Sequence, residues 1–265
     1  MITNEIIDAY IEKIPPAPKV VRATLQLLNA GELVKAAQIA QTDLALSSYL
    51  KHIVNTPSYG FKNEVSEVSQ IFGILGVSRS QQSVYNYMLS LLSPKKWVLF
   101  NLNQTTFYNL QGDFSAYWKK ILTHLEINDK AIESAISLLP ASIIVTEALF
   151  CEKKKDVELL RSVDDIDFNT ILQRLCGVNL FNICEKIAIK WDMPEEVSQV
   201  IYSASGKITN EDKQIEILGK WMHLLLFYTL SKPHYIESGL NDFLEFNIEY
   251  VKDIYEEFSK LMEIQ

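Results

Sequence analysis

Backbone punctuation between residues 15 and 77 constrains this chain more than any other feature. It reads IPPAP at 14–18, TDLALSSYL at 42–50, NTPSYGF at 55–61 and SEVSQIFGILGV at 66–77. Proline fixes φ and has no N–H, and the residue before it avoids the helical region. Pro15, Pro16 and Pro18 therefore end a first helix near Ile14. Between the breaks the apolar spacing is helical: Val21, Leu25 and Leu28 recur at i, i+4 and i+7, marking one buried stripe. Gly31 reads as a cap or turn before a short helix over 34–41. Asp43 is placed as the N-cap of a helix over 44–55, its carboxylate accepting from free first-turn amides. Asn55, Pro57 and Gly60 stop that helix, with Gly60 expected at positive φ and Tyr59 packed beneath it. Ser66 restarts a helix through Leu75, Gly76 ends it, and Ser78 caps a longer one to about residue 92.

The rest of the chain keeps the helical period. Residues 95–110 hold aromatic and β-branched side chains without a clean period and stay unassigned. Gly112 and Asp113 open an amphipathic helix, FSAYWKKILTHL, and an apolar helix follows over about 129–150, bent at Pro140. Further helices are predicted over 168–175, 179–190, 194–203, 210–230 and about 234–262. Pro194 suits a first helical position, and Glu195 and Glu196 suit the positive end of the dipole. No strand alternation and no short repeat occurs, so the expected fold is all-α, in two helical layers.

Composition narrows the function. Net charge is −8, from 25 basic and 33 acidic residues, so phosphate backbones are repelled unless the cations share one face. The densest basic run, Lys153–Lys155, is flanked by Glu152, Asp156 and Glu158 and reads as a solvated surface. Arginine, the best bidentate phosphate ligand, occurs only as Arg22, Arg79, Arg161 and Arg174. Nucleic acid is not an expected partner. The longest apolar run, WMHLLLFYTL at 221–230, is about half a membrane span and reads as a buried helix. The opening MITNEIIDAYIEK lacks the pattern of a signal peptide, so no membrane association and a cytosolic location are expected. Cys151, Cys176 and Cys184 form no metal spacing and read as small buried hydrophobes. Trp97, Trp118, Trp191 and Trp221 each fall in helix-like apolar surroundings and read as core.

Several of these elements, taken in order, resemble the HDOD family, bacterial signalling domains related to metal-dependent HD phosphohydrolases. The likeness runs over about residues 10–205. The family's opening Leu-Pro-Pro-x-Pro is answered by Ile14, Pro15, Pro16, Ala17 and Pro18, and its Asp-Pro-x-Leu-Thr by Asp43, Leu44, Ala45, Leu46 and Ser47. Its Asn-Ser-x-x-Tyr-Gly turn is similar to Asn55, Thr56, Pro57, Ser58, Tyr59 and Gly60, and its Leu-Gly helix end to Leu75 and Gly76. The resemblance implies residues 1–206 as an HDOD-like domain. Within it fall an N-terminal helical block to about 92 and a degenerate HD-like part over about 112–206. Residues 207–265 would be a helical extension packed on the core.

The departures bear on function. HD enzymes hold a water-activating metal with a His on one helix, a His-Asp pair on the next and a later Asp, ligands suited to a divalent ion. In this chain the first ligand falls near Lys120, a cation, and the pair falls on Pro140 and Ala141. Leu180 stands where relatives often carry a histidine, and IYSAS at 201–205 replaces another commonly His-rich stretch. No His-Asp dipeptide occurs. His124, one turn beyond Lys120, is a lone imidazole, and His52, His223 and His234 lack ligand spacing. Glu195–Glu196 and Asp164–Asp165 read as helix-start or loop charges. No GxGxxG, Walker-type loop or GxSxG occurs. The expectation is therefore a non-catalytic signalling protein without metal or cofactor. It would bind other signalling proteins through helical surfaces near 43–50 and 55–61, in regulatory, chemotaxis or motility circuits. The alternatives are a residual phosphohydrolase or nucleotide binder in the former cleft, and a nucleic-acid regulator.

Overall fold

The computed structural model describes residues 3–55, 63–164, 166–206, 212–244 and 247–264, and every regular element among them is helical. The chain divides into two compact units, one of residues 15–91 and one of residues 1–14 with 92–265. The first helix, α1 (Asn4–Lys13), belongs to the second of these, and Ile14 caps it just before the prolines.

In the unit of residues 15–91, Pro18 is the extended N-cap of α2 (Lys19–Asn29), which packs on α3 (Leu33–Ala40). Val21, Leu25 and Leu28 are all buried, as their spacing predicts. The Asp43 carboxylate accepts from the Leu46 N–H at 2.9 Å and starts α4 (Leu44–Val54). Next comes α5 (Val68–Leu92), broken at Gly76, which has φ 68° and ψ 178°, a region open in practice only to glycine. Gln81 of α5 donates to Asn29 at the end of α2, and Tyr87 packs on Tyr49 of α4 with ring centroids 5.4 Å apart.

The other unit corrects four sequence expectations. α6 (Gln104–His124) starts at an Asn103 cap rather than at Gly112 and Asp113. Its buried residues Phe107, Leu110, Gln111, Phe114, Trp118, Ile121 and Leu122 form one continuous stripe, and Gly112 sits on the exposed side. A glycine inside a helix costs only about 1 kcal/mol, so one well-packed face carries the helix through it. The apolar helix after it breaks before Pro140. It consists of α7 (Lys130–Ala135), a 3-10 turn (Ile136–Leu138) and α8 (Leu139–Glu152). Proline lies in the first turn of α8, where its missing N–H would have had no partner.

Five helices follow: α9 (Lys154–Asp164), α10 (Phe168–Cys176), α11 (Leu180–Lys190), α12 (Glu195–Ala204) and α13 (Lys213–Leu230). Pro194 is the N-cap of α12, not its first residue. Asn179 and Asn182 form a reciprocal capping box at the start of α11.

The fourth correction is at the C-terminal end. The helix expected over 234–262 is four short pieces: α14 (Pro233–Ile236), a 3-10 turn (Leu240–Phe243), α15 (Ile248–Val251) and α16 (Tyr255–Met262). Gly239 at φ 81° turns the chain, and Asn247 caps a fresh start.

The core centres on α8, buried on almost every side and packed against α11 and α1. The stretch Lys130–Glu152 is long and apolar enough to cross a membrane, but 89% of its apolar window is buried inside the protein. α13 is likewise buried along its length, so the run at 221–230 is core. It packs most closely on α12. A Cβ placed on Gly219 would sit 2.6 Å from Ser203 Cβ and 2.9 Å from the Ala204 amide nitrogen.

Candidate functional site

The positions that the HD resemblance matches to metal ligands lie on helices that pack together, but their surroundings differ. α6 packs on the 3-10 turn at 136–138, and that turn and α8 both pack on α11. Pro140 is buried at the start of α8, Ala141 is 0% exposed and Leu180, at the start of α11, is 2% exposed. Polar groups nearby are satisfied within their own helix: Ser142 Oγ donates to the Leu139 carbonyl at 2.7 Å, and Thr146 Oγ1 to that of Ser142 at 2.8 Å. Lys120 is on the exposed side of α6, where its Nζ lies 3.5 Å from Glu263. Hydrocarbon fills the inner positions.

The histidines do not converge. His124 Nε2 meets Glu257 at 2.6 Å on the surface, and His52 and His234 are exposed. His223 is buried, with Nδ1 2.9 Å from the Ala204 carbonyl oxygen and Nε2 accepting from the Asn247 N–H. Among the described residues no group of three or more His, Cys, Asp or Glu could hold a metal ion.

The charged group that the sequence did not single out is Glu147. It lies in α8, 1% exposed, with its carboxylate aimed at the chain over 98–100. Val98 N–H donates to it at 2.5 Å, Leu99 at 3.1 Å and Phe100 at 3.1 Å. Three successive amides thus bind one anion supplied by the protein, which explains why residues 95–103 form no helix. The only signal in the sequence was a glutamate inside an otherwise apolar helix. Cys151, one turn on, shares this carboxylate at 3.3 Å. Burial and Glu147 together push its thiol up to about 11. Burial also raises Cys176 to about 11, and Cys184 further still.

The motif residues of the other unit act on the backbone. Asn55 Nδ2 donates to the carbonyls of Lys51 at 2.8 Å and Val65 at 2.9 Å, while its Oδ1 accepts from the Val65 N–H at 2.8 Å. This amide closes the segment between them as a reciprocal pair. Tyr59 and Gly60, with Pro57 and Lys62, lie outside the described residues. A surface cavity of about 310 Å³ lies where α6 meets α7, lined by Lys119 and by Lys130, which is paired with Glu133 at 2.9 Å.

A sequence profile of the HDOD domain matches residues 14–206. The chain is a member of the HDOD family. An HDOD domain protein of unknown function from Geobacter sulfurreducens superposes with a TM-score of 0.58 at 14% identity, over 98% of this chain and 97% of that one. A protein from Shewanella amazonensis SB2B, provisionally named a phosphohydrolase, gives 0.61 at 15% identity, over 97% and 96%. One from Marinobacter aquaeolei VT8, provisionally named a signal transduction protein, gives 0.59 at 17% identity, over 98% of this chain and 65% of that one. At these identities the likeness establishes the all-helical HDOD fold. No curated protein matches the chain. The HDOD match leaves α1 before it and α13 to α16 after it.

Proposed function

We propose that this HDOD protein is a non-catalytic signalling component that acts by binding other proteins. HDOD membership and the name given to the Marinobacter relative fit a signalling role. The observation that supports the reading is buried hydrocarbon at Pro140, Ala141 and Leu180, where the resemblance to HD enzymes would call for metal ligands. A divalent ion needs lone pairs, and these side chains offer none. Fold alone does not fix activity, so that interior supports the reading more than the relatives' names do.

The surface we assign to partner binding is the start of α4. Leu44, beside the Asp43 cap, is 83% exposed, and Lys51 lies two turns further along the same helix. In a pull-down from the native bacterium, Leu44→Glu and Lys51→Glu should weaken partner capture and leave thermal stability almost unchanged, since surface substitutions cost under about 0.5 kcal/mol. Dialysed protein should hold well under one equivalent of zinc, iron or manganese. It should leave nucleotides and cyclic dinucleotides unhydrolysed when metal is added. Stoichiometric metal that survives dialysis and is lost in His124→Ala would favour the residual phosphohydrolase instead.

A further inference from the structure

The chain after α13 returns across α6 and α13. α16 buries Phe258 and Met262, as does its N-cap Ile254, and the Phe258 ring lies 5.6 Å from Trp221 and 6.0 Å from Tyr228 of α13. At the edge of this apolar seat Glu257 meets His124, and Glu263 meets Lys120, both on α6. Lys220 of α13 holds the incoming turn through Asp253 at 2.7 Å. The seat therefore has an aromatic floor and a cationic rim, and its occupant is an acidic amphipathic helix.

Two features separate this contact from the core. α16 has only eight residues, too few to stay helical in water without its seat. Its ion pairs to α6 are half-exposed or more on the acidic side, with Glu257 at 55% and Glu263 at 84%, so solvent and salt screen them.

We propose that the α6–α13 face is a docking groove for an acidic amphipathic helix of a partner protein, and that α16 fills it in cis as a releasable plug. The seat sets the chemistry of the partner: apolar residues spaced as Phe258 and Met262 are, and carboxylates facing His124 and Lys120. Because the groove is open only while α16 is away, cis occupancy lowers the partner's apparent affinity by the open fraction. The inference does not depend on the α4 surface assigned above.

The test uses the full chain. Native-state hydrogen exchange should show α16 amides exchanging at least tenfold faster than those of α8, through a local opening. A fluorescent peptide of residues 253–264 is then titrated into the unmodified protein and into Phe258→Asp. It should bind the variant at least tenfold more tightly, and adding Lys120→Glu with His124→Glu should remove that gain. Should Phe258→Asp not fold, Glu257→Lys with Glu263→Lys releases the plug from the rim and leaves its apolar anchors in place. Equal binding to both proteins, binding to neither, or exchange of α16 in step with α8 would overturn the proposal. So would a dimer of the unmodified protein with α16 exchanged between copies, since the occupant would then be this chain.

Discussion

A carboxylate inside an apolar helix has to be stabilised, and Glu147 is stabilised by main-chain N–H groups at 98–100. Hydrogen bonds to a charged acceptor are the stronger kind, and buried donors that lose their acceptor carry the full desolvation penalty. Glu147→Gln keeps the size but turns an amide N–H₂ towards groups that are themselves donors. Urea unfolding should show a loss of about 1–3 kcal/mol, with faster exchange at residues 98–100. The same carboxylate bears on Cys151. Thiolate is the reactive form, and a thiol pushed up to about 11 holds little of it at pH 8. Native protein should therefore take up iodoacetamide slowly at Cys151 and at the buried Cys176 and Cys184, and rapidly in urea, as mass spectrometry would read directly.

Two glycines govern how elements meet, for different reasons. At Gly219 the obstacle is space: any Cβ runs into Ser203 and the backbone of Ala204, so α12 and α13 would have to separate. At Gly76 there is room for a Cβ, and the obstacle is the backbone, at φ 68° and ψ 178°. Gly219→Ala and Gly76→Ala should each cost about 1–3 kcal/mol in thermal or urea unfolding, the first by overpacking and the second by strain. Only Gly76 was legible in the sequence, because a turn glycine between helical patterns signals its own conformation. Gly219 lies inside a strongly apolar helix, where nothing local says that another helix passes close by. The same distinction explains the other successes and failures. Caps at Asp43 and stops at Ile14 depend on neighbouring residues and are legible there. The start of α6 and the breaks after Ile236 depend on tertiary burial and on turn chemistry, which the local pattern does not carry. At the candidate site the apolar burial of Pro140, Ala141 and Leu180 was readable residue by residue. The Glu147 clamp was not, because its partners are backbone amides some 47–49 residues away in sequence.

At the scale of the whole molecule, α1 is joined to residues far along the chain. Ile7 is 0% exposed, Lys186 pairs with Asp8, and Lys190 with Glu12 at 2.7 Å. Ile7→Ala should cost about 2–5 kcal/mol, and the loss should fall on the unit of residues 92–265. Exchange in α8 and α11 should quicken while α2 and α4 keep their protection. If α2 and α4 lost protection equally, the two units would not be energetically distinct. The discontinuous unit also sets an order of events at the ribosome. Asp8 and Lys186 are 178 residues apart, and at about 5–20 residues per second their meeting waits roughly ten to forty seconds. Residues 15–91 find their partners within a single unbroken stretch in that interval. α1 is thus made well before its partners, and until they arrive Ile7 and Ile11 are a sticky segment that a nascent-chain chaperone would be expected to hold.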